Sequence, residues 1–422
     1  MTTLVAIAGL FVLVFAGVHI AIALGLVAIF LLTFNFQVPV VIVAQTAWSS
    51  VDGYALVAIP FFVFAGNLMS RGNIALVILD LVGTLVRAIR GGVALALTFA
   101  AVFFAAVNGS SVACAAALGP AATKLLPAEG YDKRFAAAVV AVGGTLGVMI
   151  PPSLSFILIG SIVGLPINEL FIAGILPGLM EAAMIGAATI IIAKVRGYGG
   201  RSQPADWRGF GRQLPAASGA LFLPVLIIGT IYAGIFTPTE VSALAALYAV
   251  FLVLIVYRSA TLGEVWGTLR ESVQQTLMIY GVLIGSGLLT ALLTRLGVTE
   301  ELRTILIAAE IDRVTFLIVL NLTLIVVGMF LDGISVIVLL SPIVFPLALV
   351  VGIHPIHMAV ILTALVEIAT ITPPVGLNLF VMSRVSGVPL HQIIRAVAPF
   401  FAVRAAALVL INAFPWLSLA LV

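Results

Sequence analysis

The sequence predicts an all-α polytopic membrane protein built from two related halves, each holding a re-entrant helical hairpin and a proline-broken helix. Three observations carry this. The chain is 63% hydrophobic and 8% charged over 422 residues, so lipid is the expected solvent for most of its surface. Pro151-Pro152 and Pro373-Pro374 stand 222 residues apart, and the same offset relates Pro120 to Pro342, Gly130 to Gly352 and Pro177 to Pro399. Basic residues crowd the loops of the first half and are scarce in the matching loops of the second.

Residues 4–34, 216–236 and 241–256 are apolar runs long enough, or nearly so, to cross a hydrocarbon core about 30 Å thick. The first has neither a basic start nor a small-residue cleavage site, so it reads as a retained helix, with His19 buried inside it. Residues 74–87 and 300–310 join apolar periodicity to charged ends. They fit helices lying along the interface, or equally tilted helices packed on the bundle. Cys114 is the single cysteine, which excludes an internal disulfide and any cysteine-based metal cluster.

In the first half an apolar stretch at 92–107 meets the polar break Asn108-Gly109-Ser110-Ser111, and a second apolar piece runs over 112–126. Neither piece makes a comfortable span with the break included, so a hairpin entering and leaving on one face is expected. A helix from about 134, broken at Pro151-Pro152, then crosses, and 168–193 returns. The chain divides into scaffold helices at 1–91, a first transport repeat at 92–193, a basic linker at 194–214, a second scaffold segment at 215–310 and a second repeat at 311–422.

Charge sets the topology. Arg87, Arg90, Lys124, Lys133 and Arg134 share one predicted face with Lys194, Arg196, Arg201, Arg208 and Arg212 of the linker, ten residues in all. The matching connections of the second half carry only Arg313. Excess Lys and Arg mark cytoplasmic loops. The linker is therefore placed inside and the C-terminus outside, which makes the repeats inverted.

A helix broken at proline frees carbonyls on one side of the break and amides on the other. In a bilayer such backbone survives only where it lines a site, and paired interruptions point to the substrate and ion site of a secondary transporter. The pieces here are Asn108–Ser111 with 143–153, and 328–333 with 367–378. Their hydroxyls, amides and carbonyls are hard oxygen ligands suited to an alkali cation. The plain alternative is that Gly, Ser and Thr let helices pack closely. Asp332 and Glu367 sit in apolar stretches, where a carboxylate costs about 2.5–3.5 kcal/mol at mid-membrane. They read either as members or supports of the second cation site or as caps of a nearby broken helix, whereas Glu181 and Glu240, near span ends, read as structural. His354 and His357 fall in a predicted outer connection, and His391 starts the last span. No Ser/His/Asp order, HExxH pattern or Walker loop occurs, so uphill movement would draw on an ion gradient.

Over essentially its whole length the chain resembles the large membrane subunit of tripartite ATP-independent periplasmic (TRAP) transporters. The resemblance rests on AIPFFVFAGNLMSRG at 58–72, NGSSVACAAALGP at 108–120, GYDKRFAAAVVAVGGTLGVMIPPS at 130–153, GIFTPTEVSALAALYA at 234–249, GMFLD at 328–332 and EIATITPPVGLNLFV at 367–381. It implies a bacterial inner-membrane elevator transporter, not an enzyme. A mobile domain of two hairpins and two broken helices would carry a small organic acid anion, coupled to sodium. A periplasmic binding protein would deliver the substrate, and a separate small four-helix membrane subunit would brace the scaffold. No nucleic-acid partner is expected. Carried over by residue, the resemblance places a first sodium site at Asn108, Gly109, Ser110, Ser111, Gly147, Ile150 and Pro151. It places a second at Gly328, Asp332, Ala369, Thr370, Thr372 and Pro373, and substrate near Ser110, Ser153, Thr372 and Asn378. The family commonly has serine at Asn108 and often proline at His19. Two other classes compete with this reading: a stand-alone ion-coupled symporter or antiporter, and an intramembrane enzyme using Ser110 or Asp332, which no His or Lys near the hairpin tip supports.

Overall fold

In a computed structural model, residues 8–422 are described except 11, 14, 15, 73 and 200–203; Leu4 and Arg201 lie outside the described residues. The described secondary structure is helical, with no strand among these residues. Among the described residues, eight helices are long and apolar enough to cross a membrane.

The segment expected to form the first scaffold part holds α1 (Ile20–Phe30), α2 (Val40–Ser49), α3 (Ala58–Arg71) and α4 (Ile74–Val86). The expectation of one helix over 4–34 fails. Gly17 takes a left-handed φ of 83° and turns the chain. His19, expected to be buried, is exposed and caps α1, its Nδ1 accepting from the Ala21 amide at 3.4 Å. A polar cap satisfies an amide that the glycine turn leaves without a helical partner.

The first repeat follows as α5 (Gly92–Asn108), α6 (Ser111–Ala128), α7 (Lys133–Leu146), α8 (Leu154–Val163) and α9 (Ile167–Val195). The second segment contains α10 (Trp207–Tyr232), α11 (Pro238–Phe251), α12 (Leu262–Arg295) and α13 (Val298–Ala308). α9 reaches into the stretch read as a linker, and α10 begins within it, capped by Asp206, which accepts from the Gly209 amide at 2.8 Å. Glu240 keeps its structural role: it closes a capping box with Thr237 at the start of α11.

The second repeat is α14 (Arg313–Gly328), α15 (Gly333–Val350), α16 (Pro355–Ala369), α17 (Leu377–Ser386) and α18 (Leu390–Ala413), with a last turn α19 (Trp416–Leu419). The outer connection was expected to include His357, but Pro355 starts α16 first. His357 is fully buried in that helix, 3.0 Å from the Ser418 hydroxyl. The duplication is visible in the backbone. Gly130 and Gly352 are both left-handed, α8 and α17 both end on a left-handed glycine, and both Pro-Pro bonds are cis.

Packing runs through the whole bundle, and α3 and α4 both lie against α5 of the first repeat. α1 lies on α12, α3 on α11 and α12, and α4 on α10. Within each repeat the hairpin packs on the first piece of its own broken helix, α5 and α6 on α7, α14 and α15 on α16. The second pieces cross over, with α8 against α15 and α17 against α6. The two repeats are thereby interlocked, and both hairpins meet both broken helices. One bond joins α12 to the second hairpin. Pro342 has no N–H for the carbonyl one turn back, that of Val338, and the Ser286 hydroxyl on α12 donates to it at 2.6 Å.

Candidate substrate and cation site

Each hairpin is reversed at the residues the sequence singled out, and each reversal is built differently. In the first, Gly109 takes a φ of 68° and α6 starts at once, capped by Ser110, whose hydroxyl accepts from the Ala113 amide at 3.2 Å. In the second, Met329–Leu331 intervene before Asp332 caps α15. Its carboxylate accepts from the Ser335 amide at 3.1 Å and from the Ser335 hydroxyl. Asp332 is thus a cap, but of the second arm of its own hairpin rather than of a broken helix.

Both tips press on the break of their own repeat. A methyl on Gly147 would collide with the Ala106 amide nitrogen and the Ala105 carbonyl carbon of α5, and one on Gly144 would stand 3.1 Å from the Ser111 carbonyl oxygen. Gly109 leaves 2.8 Å between a would-be Cβ and Leu154 at the start of α8. In the second repeat a methyl on Gly328 would collide with Ala369 at the end of α16. Small residues let backbone meet backbone where its carbonyls are free of helix.

The expected first-site residues Asn108, Gly109, Ser110, Ser111, Gly147, Ile150 and Pro151 therefore share one tip-and-break region. Asn108, Ser111, Gly147 and Pro151 are buried, while Gly109, Ser110 and Ile150 are half-buried. Nδ2 of the Asn108 amide is buried without a partner. Such an amide is free to turn its oxygen to a cation. In the second region Gly328, Ala369, Thr370 and Thr372 are buried, Asp332 is half-buried and Pro373 is exposed. The Thr370 and Thr372 hydroxyls each donate, at 2.7 Å, to the Glu367 and Ile368 carbonyls and keep lone pairs free. The donor sets are hydroxyl, amide, carbonyl and one carboxylate oxygen, which fits sodium.

Of the expected substrate residues, Ser153 caps α8, accepting from the Phe156 amide at 3.4 Å. Asn378 is fully buried and ties the second broken helix to the first, its Nδ2 donating to the Ala141 carbonyl at 3.1 Å while Oδ1 has no partner. Ser110 and Ser153 are both N-caps, so the α6 and α8 N-termini start from residues of the expected set. A cavity of about 540 Å³ lies elsewhere, between α2, α12, α8 and α15, bordered by Ser50, Ser161, Ser286 and Pro342 and by none of these residues.

The sequence reading missed Arg404. This side chain, in the middle of α18, is fully buried and pairs with Glu181 at 2.5 Å and with Glu367. Glu181 is accordingly not near a span end but inside α9, with no exposed surface. Glu367 pairs with Arg404, and the Met149 amide of the first break also approaches it. One guanidinium thus joins α9, α16 and α18 just ahead of the second break. The signal was available. Three charges in apolar helices need one another, because none is affordable alone in lipid.

Two packed tip-and-break regions in a helical membrane protein are the architecture of a transport permease. The sequence model for "Tripartite ATP-independent periplasmic transporter, DctM component" matches residues 7–417. The chain belongs to this family as its large membrane subunit. It is 35% identical over 439 residues to the C4-dicarboxylate TRAP transporter large permease protein of Vibrio cholerae, covering 98% of this chain and 96% of that one. It is also 35% identical over 399 residues to the isethionate TRAP transporter permease protein DctMQ of Oleidesulfovibrio alaskensis, covering 94% of this chain but spanning only 63% of that relative. Among solved structures, the YdaH transporter of Alcanivorax borkumensis superposes with a TM-score of 0.61 at 14% identity, over 89% of this chain and 87% of that one. That likeness speaks for the fold.

Proposed function

We propose that this chain imports a small organic acid anion by sodium-coupled elevator movement. Substrate would come from a periplasmic binding protein, and a small four-helix membrane subunit would sit beside the scaffold. The observation that carries the reading is the pairing of each hairpin tip with a broken helix through glycine contacts, Gly147 on Ala105–Ala106 and Gly328 on Ala369. It supports a mobile body of the two repeats, inverted across the membrane, working against α1–α4 and α10–α13. The substrates in the relatives' names, C4-dicarboxylates and isethionate, are small organic acid anions.

Sodium, when bound, supplies the positive charge that the membrane potential acts on, worth about 2.3 kcal/mol per charge per 100 mV. The chain's part is to hold oxygens in place. Asn108, Gly109, Ser110 and Ser111 with Gly147, Ile150 and Pro151 would hold one ion; Gly328 and Asp332 with Ala369, Thr370, Thr372 and Pro373 would hold another. Ser110 and Ser153 present helix N-termini to the anion, with Thr372 and Asn378 completing its surroundings. The basic loops face the cytoplasm and the C-terminus the periplasm.

The test is uptake in proteoliposomes holding this chain and the small subunit, with the binding protein outside and sodium high outside or equal on both sides. Accumulation is expected only with the gradient and the binding protein. Asp332→Asn keeps a residue able to cap α15 but removes the charge, and should cut sodium-dependent uptake at least about tenfold. Ser111→Ala should weaken sodium activation as well. Uptake indifferent to sodium sinks the coupling, and uptake indifferent to the binding protein restores the stand-alone transporter.

A further inference from the structure

A second pocket, of about 470 Å³, lies where helix ends gather: the C-terminus of α4, the start of α5, the end of α6 and the first turns of α10. Helix ends mark the level at which hydrocarbon gives way to headgroups. The pocket has the layered chemistry of that level. Leu79, Ala96 and Leu126 form an apolar part, and Ile89 and Leu125 at its edge are exposed, 41% and 44%, which leaves a way out toward acyl chains.

Its polar side carries both signs. Arg87 and Arg90 line it together with Asp80 and Glu129. Arg87 reaches Asp206 only at 3.7 Å, and Arg90 has no carboxylate within ion-pair range among the described residues. Gln213 also lines the pocket, and its Oε1 is buried with no hydrogen-bond partner. Two guanidinium groups suit a phosphodiester, which takes bidentate donors. Two carboxylates and an unpartnered amide oxygen suit a group with several N–H donors. A primary ammonium has three.

We propose that this pocket binds the headgroup of phosphatidylethanolamine, the phosphate on Arg87 and Arg90 and the ammonium on Asp80, Glu129 and Gln213. A free metabolite would have no use for the apolar part or its open edge. A phosphatidylglycerol headgroup has no cation for the acids, and a choline has no N–H to donate. The walls come from α4 and α10 on one side and the α5–α6 hairpin on the other, so the bound lipid bridges the scaffold and the first repeat.

The experiment is native mass spectrometry of the delipidated full chain after adding dioleoyl phosphatidylethanolamine, phosphatidylglycerol or phosphatidylcholine singly. One tightly held phosphatidylethanolamine is expected, with the other two weaker. The double variant Arg87→Ala/Arg90→Ala should weaken phosphatidylethanolamine about tenfold or more. Asp80→Asn/Glu129→Gln, nearly isosteric, should weaken phosphatidylethanolamine and leave phosphatidylglycerol unchanged. It decides the matter if the arginine variant fails to fold. Equal retention of the three lipids, unchanged binding in the carboxylate variant, or displacement of the lipid by inorganic phosphate alone would overturn the proposal.

Discussion

The two repeats share a backbone and differ in charge. At the hairpin tip, buried Asn108 corresponds to exposed Phe330, and neutral Ser110 to Asp332. In the broken helix Thr145, whose hydroxyl donates to the Val142 carbonyl at 2.8 Å, corresponds to Glu367. The helix after each break is capped by Ser153 in the first repeat, but starts from Gly376 without a side-chain cap in the second. The first repeat is thus an almost neutral oxygen-lined turn, while the second carries a carboxylate at its tip and another in its helix. Only the latter is paired with a cation. What the difference teaches is that breaking a helix in lipid needs glycine and proline in both copies, whereas the side-chain cap and the charge at the break are free to differ.

The largest effect expected from disturbing this asymmetry is at Arg404. Removing it leaves Glu181 and Glu367 buried without a counter-charge, the kind of loss that costs about 3–5 kcal/mol. Arg404→Leu should therefore sharply lower the thermal unfolding midpoint in detergent, or prevent a folded monodisperse protein. The triple variant Glu181→Gln/Glu367→Gln/Arg404→Leu should recover much of it, since replacing a whole buried ionic group is far milder than breaking one. A stable Arg404→Leu protein would mean the three charges do not depend on one another. Thr145, the first-repeat counterpart of Glu367, should tolerate valine with a much smaller loss.

How much of this was legible in the sequence depended on range. The breaks, hairpins and repeat offset could be read because they are written in local chemistry: Pro without N–H, Gly at left-handed positions, Ser or Asp before a helix. The ends of α5, α6, α7 and α9 fall within a few residues of the expected ones for that reason. The triad could not be read the same way. Its three members are spread over α9, α16 and α18, and nothing near Glu181 announces Arg404, 223 residues on. Similarly His19 looked like a core residue because its neighbours are apolar, yet the turn at Gly17 makes it a cap. The cross-over of α8 onto α15 and of α17 onto α6 was also hidden, because apolar faces in a membrane protein do not name their partners.

A smaller effect separates the two tip contacts. The would-be methyl on Gly147 meets backbone atoms of α5, which side-chain repacking cannot move away, whereas that on Gly328 meets the Ala369 methyl first. Overpacking typically costs about 1–3 kcal/mol, and Gly147→Ala should lie toward the upper end. Gly328→Ala should cost less and be rescued by Ala369→Gly, measured as thermal stability of the purified variants. Rescue of the first by Ala105→Gly to the same degree would contradict the assignment of backbone as the obstacle.

The smallest effect lies where the broken helices begin. Asp132 caps α7, accepting from the Arg134 amide at 2.8 Å, and its counterpart His354 precedes α16 with no side-chain cap bond. Loss of an acidic cap costs about 0.5–2 kcal/mol. The neighbouring Asp132–Arg134 ion pair is exposed on its arginine side and adds little. Asp132→Ala should thus lower stability measurably at neutral pH, while His354→Ala should change it hardly at all. The side-chain hydrogen bond from Arg134 holds the Asp132 carboxyl below its usual range, against the opposing effect of burial. A depressed carboxyl contributes its stability above the unfolded-state pKa and loses it as pH falls through the folded one. The gap between wild type and Asp132→Ala should therefore close on acidification, while the small His354 difference stays flat across the same range. A gap that persisted in acid would assign the effect to lost packing at Asp132 rather than to its charge.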